Sequence, residues 1–201
     1  MDKDIYLYRH EQAAQTKNRI FVNANELFNE KGFKSVTIRD ICKRSNIAVG
    51  TFYLHYQSKH DILYDLYKRV DERVGEKGIS EQDSLDSLQK ILELIRIQLS
   101  AASIFHIQSD AVKQLYSYQL ESDNEYFLSE DRQFYIQLTK VIDEGKVKHE
   151  IRTDITTHDI CWRLLRFSRG IIFDWCLHNC SYDIVGFGSE EIAFYLESFR
   201  D

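Results

Sequence analysis

Between residues 37 and 59 the sequence gathers small, hydroxyl-bearing and cationic side chains in a pattern suited to holding a polyanion. Gly50 has no side chain, so the backbone there can approach a groove or a phosphate closely. Thr51 and Tyr53 can donate to phosphate oxygens, and the Thr51 methyl can touch a thymine methyl. Lys59 stands where a helix should start, and its charge adds to backbone N–H groups aimed at an anion. Arg39 can bond guanine O6 and N7 bidentately, which makes it the candidate for base readout; the plainer alternative is a solvated surface charge. If Arg39 is only a clamp, readout passes to Val49, Thr51 or His55. Thr37 reads as a helix cap that can also meet a phosphate, and His55 as either a phosphate contact or an exposed ring. The partner these residues imply is double-stranded DNA.

The elements that must position them follow from apolar spacing. Ile20, Ala24, Leu27 and Phe28 form the stripe of an amphipathic helix over 16–31, and Gly32 ends it as a left-handed cap. Thr37 and Asp40 make a capping box, so a short helix runs to about Ser45 and buries Ile38, Ile41 and Cys42. Asn46 can take the left-handed conformation of a tight turn. A second short segment, 49–56, follows and turns Phe52 and Tyr56 to the core. Ala48 precedes it without a capping hydroxyl, at a cost of about 1 kcal/mol. Ser58 and Asp61 form another capping box, and Ile62, Leu66, Val70 and Val74 carry a long helix to Gly75 or Gly78. Two short helices joined by a tight turn, behind a longer supporting helix, are a helix-turn-helix.

The run FVNANELFNEKGFKSVTIRDICKRSNIAVGTFYLHYQSKHDIL, residues 21–63, resembles the DNA-binding domain of the tetracycline repressor (TetR) family. The shared features are the Lys-Gly-Phe helix end, the Thr-Ile-Arg-Asp-Ile start of the second helix, the Gly-Thr-Phe-Tyr of the recognition helix and the Tyr-x-Ser-Lys before the fourth. Ala48 departs from the family's usual Ser. The resemblance implies that Gly50, Thr51, Tyr53 and Lys59 hold the DNA backbone, and that Arg39 reads a groove. It also implies dimerisation through the last two helices, an effector-binding body, and repression as the commoner outcome.

The totals agree with an all-α chain of two domains, a head over 1–60 and a helical effector-binding and dimerisation body over 61–201. At 201 residues, 43% hydrophobic and 29% charged, the chain can bury an ample core, and it has no proline. Residues 1–60 carry ten Lys/Arg against six Asp/Glu, a net of +4, which leaves −10 for the remainder of a chain whose net charge is −6. A basic head on an acidic body suits a protein that offers one end to a polyanion.

In the body, helices are expected near 82–103, 107–121, 124–148, 157–179 and 189–199, with a loop over 180–188. Two adjacent apolar stripes mark the helix over 157–179. One holds Ile160, Leu164, Phe167, Ile171 and Trp175, the other Cys161, Leu165, Ser168, Ile172 and Cys176. So wide a surface implies cover on two sides, and a symmetry mate is the simplest second cover. Leu164, Ile171, Trp175, Ile192 and Leu196 are therefore the expected homodimer interface; the alternative is a helix wholly inside one subunit. Phe105, His106, Tyr116, Tyr126 and Phe134 either line a pocket for an unidentified small-molecule effector or are plain core.

No glycine-rich phosphate cradle, nucleophile elbow or zinc-protease motif is present, so an enzyme is not expected. The four cysteines lack metal-ligand or disulfide spacing; no metal and no cofactor is anticipated. Neither a secretory leader nor a membrane span is apparent, which places the chain in the cytoplasm without a membrane partner. Two readings compete with a ligand-responsive regulator: a helix-turn-helix DNA-binding protein without an effector, and an interaction module that retains a degenerate head.

Overall fold

The Thr37 capping box forms as read. The Asp40 N–H donates to Thr37 Oγ1 at 3.2 Å while the Thr37 N–H donates to Asp40 Oδ2 at 2.9 Å. In this computed structural model, which describes residues 2–76, 84–104, 109–121 and 126–201, the box starts helix α2, Ile38–Ser45. It follows α1, Asp2–Lys31, whose end is marked by Gly32 at φ 78. Asn46, at φ 50 and ψ 54, turns the chain from α2 into α3, Val49–Tyr53. Ala48 caps α3 without a side-chain hydrogen bond. The next elements are α4 (His60–Glu76), α5 (Ser87–Ile104) and α6 (Ser109–Glu121). A single 3-10 turn, Tyr126–Leu128, precedes α7 (Gln133–Val147), α8 (Thr157–Leu177) and α9 (Ile184–Leu196). Among the described residues there is no strand, only an isolated bridge between Ile151 and Arg200.

Two compact units divide the chain: Met1–Leu66 with His106–Ser122, and Tyr67–Phe105 with Asp123–Asp201. In the first, Ile20, Ala24, Leu27 and Phe28 of α1 are buried with Ile41 and Cys42 of α2, Phe52 of α3 and Ile62 of α4. Ile38 is only half-buried. Arg44 fastens α2 to α1 with a bidentate pair to Glu30 and a longer contact to Glu26. The N-terminal reach of α1 is longer than the apolar stripe implied. Residues 6–15 are helical yet exposed, built from good helix formers such as Glu11, Gln12, Ala13 and Ala14.

The second unit packs α5, α7, α8 and α9 around Ile91, Leu94 and Leu99, Leu138 and Ile142, Ile160, Leu164 and Leu165, and Ile192. Three helix starts differ from the sequence reading, α5 beginning at Ser87 instead of 82. The helix expected over 124–148 starts only at Gln133, because its first turn is capped from α4: Asp71 accepts the Gln133 N–H at 2.9 Å and the Phe134 N–H at 3.3 Å. The last helix starts at Ile184 instead of 189, because Asp183 accepts the Val185 N–H at 3.0 Å. Gly186 and Gly188 thus lie inside α9. At Gly188 an added Cβ would stand 2.7 Å from Leu99 Cδ1 and 3.2 Å from Ile171 Cγ2, so the glycine lets α9 lie close against its neighbours.

Asp71 and Arg132 also form the buried ion pair of this unit. Arg132 Nη2 lies 3.1 Å from Asp71 Oδ1 and donates to the Tyr67 hydroxyl at 2.9 Å. Arg132 Nη1 donates to the Phe127 carbonyl, and the Tyr126 hydroxyl to Asp71 Oδ2. Burial alone lowers the Arg132 pKa, but Tyr67 and Asp71 outweigh it and the net shift is upward. Burial, then the Asp71 charge, pushes the Tyr126 phenol well above its ordinary value.

Candidate nucleic-acid interface

The inward and outward sides of α3 separate cleanly. Phe52 is fully buried and Tyr56, just beyond the helix, is 4% exposed. Facing out are Val49, Gly50 and Tyr53, with Thr51 half-buried. Nothing lies within 4 Å of a Cβ built on Gly50, so the fold itself does not demand glycine there and the position is open to an approaching surface. Thr37 is exposed at the start of α2 and Arg39 is exposed in its first turn. Among the described residues no carboxylate pairs with Arg39. Hydrogen bonds from the Thr37 side chain and backbone hold the Asp40 carboxyl below its usual range, so the box is ionised and intact near neutral pH.

Several cations of the head are already engaged. Lys59 Nζ donates to the carbonyls of Phe33 at 2.7 Å, Val36 at 2.9 Å and Lys34 at 3.3 Å. It thereby ties the α1–α2 connection to the start of α4, a positioning task that its place at a helix start did not announce. Lys17 bonds Asp65 at 3.2 Å, and Asp65 accepts the Tyr56 hydroxyl at 2.7 Å, which braces the chain just behind α3. His55 is half-buried; burial and then Lys17 lower its pKa, leaving a neutral ring. Sequence reasoning missed this brace, since its three residues lie far apart in the chain. It also missed Leu54, the C-cap of α3, which is 82% exposed. Its place opposite Phe52 on a helical wheel was the available signal.

The residues expected at a dimer interface face inward. Leu164, Ile171, Trp175, Ile192 and Leu196 are all buried within the single chain. Both apolar stripes of α8 are covered by the chain's own helices, apart from half-buried Phe167 and Cys176, so their width does not require a mate. The large apolar side chains left open on α8 and α9 are Phe173, Leu177, Phe187 and Phe194. Of the effector set, Phe105 and His106 lie outside the residues whose side chains are described. Tyr116 is half-buried in the first unit. In the second unit Phe134 is buried core, and the Tyr126 hydroxyl is bonded to Asp71.

A capped α2, a left-handed turn at Asn46 and a short α3 with an open outer face define a helix-turn-helix DNA-binding protein. Residues 20–66 match the family described as bacterial regulatory proteins, tetR family. Over 202 aligned residues the chain is 23% identical to the HTH-type transcriptional regulator AcrR of Shigella flexneri, covering 94% of this chain and 91% of AcrR. It is 37% identical to UidR of Escherichia coli K12 over 62 residues, about a third of each protein (31% and 32%). Among solved structures it is similar to Thermus thermophilus FadR, a TetR-family transcriptional repressor in complex with lauroyl-CoA. The TM-score is 0.70 at 17% identity, over 90% of this chain and 92% of that one. No helix among the described residues is long and apolar enough to cross a membrane.

Proposed function

We propose that the protein is a ligand-responsive repressor of transcription that binds a palindromic operator as a homodimer and is released by a small-molecule effector held in its body. The observation that carries the DNA half is the division of α3 into a buried inner side and an open outer one beside the exposed Arg39. Thr37, Thr51, Tyr53 and His55 hold the backbone, Arg39 reads a guanine edge, and Lys59 positions the loop between α1 and α2.

Two observations support the dimer. Phe173, Leu177, Phe187 and Phe194 are exposed on α8 and α9. A groove of about 700 Å³ beside them carries Arg163 and Arg166 together with Asp174 and Glu191. A patch bearing both signs of charge can pair with its own copy across a two-fold axis. The effector reading leans on the lauroyl-CoA held by the similar Thermus thermophilus FadR. It leans also on Gln98, 8% exposed in the body, whose Oε1 has no partner among the described residues. A buried acceptor of that kind calls for a donor.

The test starts with DNA fragments retained by the purified protein. Wild type and Arg39→Ala are titrated against the recovered operator, the operator changed at one symmetric pair, and random duplex. Arg39→Ala should lose operator affinity, keep its non-specific affinity and become indifferent to that pair. A loss by one common factor on all three would make Arg39 a phosphate clamp. Coupling is reciprocal, so a candidate effector that binds equally well with and without operator is not an inducer; failure of every ligand to release the operator would favour a DNA binder without an effector.

A further inference from the structure

We propose that α3 reads its operator chiefly through thymine 5-methyl groups, with Leu54 and Val49 as the apolar readers beside the Thr51 methyl. This rests on the DNA-binding reading above and names the feature of the DNA that the same surface selects. From Ala48 to Leu54 the side chains turned outward are methyl, isopropyl, hydroxyl, phenol and isobutyl groups. Val49 is 42% exposed, Tyr53 53% and Leu54 82%. None of them is an Arg, Lys, Asn, Gln, Asp or Glu.

That composition limits what the helix can recognise. Guanine is read by paired donors, adenine by a carboxamide and cytosine by an acceptor, whereas the thymine methyl is the one apolar group a base presents in the major groove. The geometry sets two of the readers beside an opening. Leu54 keeps helical backbone angles, φ −73 and ψ −20, and follows Gly50 by four residues, so the two share a face. Phe52 stands about 200° around the helix from Gly50 and is fully buried, which turns that shared face away from the core. With open space at Gly50 the backbone can come close to the base edges, and Leu54, on the same face, is brought toward them with it. The exposed guanidinium of Arg39 belongs to α2, which leaves α3 to apolar contact.

The experiment uses the full chain and half-sites selected from a random-sequence duplex pool. Each selected thymidine is replaced in turn by deoxyuridine, which removes the 5-methyl and leaves every hydrogen-bonding group in place. At one or more symmetric pairs the wild-type affinity should fall about fourfold per methyl, roughly fifteenfold per symmetric pair, as expected for the loss of buried methyl-sized groups. Leu54→Ala should bind weakly and be indifferent to uridine at one of those pairs. Its melting temperature should match wild type, because Leu54 is almost wholly solvated. A selected half-site whose thymidines can all be replaced without loss overturns this inference and leaves the DNA-binding reading standing. Recovery of no preferred half-site overturns both.

Discussion

Lys59 Nζ donates to the Phe33 carbonyl at 2.7 Å and also lies 4.4 Å from the centre of the Phe33 ring, so one side chain serves the backbone and the aromatic face of the same residue. With Val36 and Lys34 also accepting, the ammonium closes a segment that has no regular structure of its own. Lys59→Met, which keeps the stem and removes the donor, should lower the unfolding free energy by roughly 1.5–3 kcal/mol, the range for hydrogen bonds to a charged group. Urea unfolding measures this. An unchanged midpoint would return Lys59 to a purely DNA-facing role.

The ring of His60 lies between two aromatics, 4.8 Å and 13° from Tyr118 of α6 and 4.9 Å from Phe33. Lys59 just before α4, Asp61 on α4 and Glu121 on α6 are the charges that act on it. Burial, then Lys59, lowers its pKa below the ordinary 6.5. The folded form therefore resists a proton that the unfolded chain accepts. The resulting stability is full above about pH 6.5 and is lost as pH falls through the lower folded value. Melting temperatures of wild type should decline from pH 7 toward pH 5, and His60→Phe, which keeps a ring in place, should decline less. Parallel profiles would remove His60 from the account.

Asp71→Asn leaves the Arg132 guanidinium buried beside a neutral partner. A loss of about 3–5 kcal/mol in the unfolding of the body is expected, as for other broken buried pairs. The double change Asp71→Leu with Arg132→Met removes both charges and should recover part of that loss. If the double variant proves as unstable as the single one, Asp71 acts through capping α7 alone.

Exposure separates two neighbouring positions of α9. Phe194→Glu alters a side chain 84% exposed and should give a folded monomer by sedimentation and circular dichroism. Ile192→Glu places a charge at a fully buried site and should prevent folding altogether. A folded Phe194→Glu protein that remains dimeric would move the contact away from this face.

Local chemistry was legible wherever cause and effect lie within one turn of helix. The Thr37 box, the left-handed Asn46, the Gly32 cap, the missing hydroxyl at Ala48 and the inward Phe52 all follow from neighbours in sequence, and so did the identity of the head. Long-range causes were not legible. Asp71 ends its search for hydrogen-bond donors at α7, sixty residues away, and so delays that helix to Gln133. Periodicity measures how much of a helix is apolar without saying which body covers it, so the double stripe of α8 read as a call for a partner that its own neighbours answer. The glycines at 186 and 188 looked like loop residues because their use depends on how near another helix passes.

Gly188 also constrains the order in which this sequence can change. A methyl group at 188 meets Leu99 Cδ1 at 2.7 Å, and Leu99 is itself 2% exposed, with little room to turn aside. Alanine at 188 is thus costly as a first step and tolerable only after Leu99 has become smaller. Shrinking Leu99 first opens a gap that the new methyl then fills. Either change made alone carries a cost, the gap or the clash, and the two offset each other, so what position 188 tolerates depends on position 99.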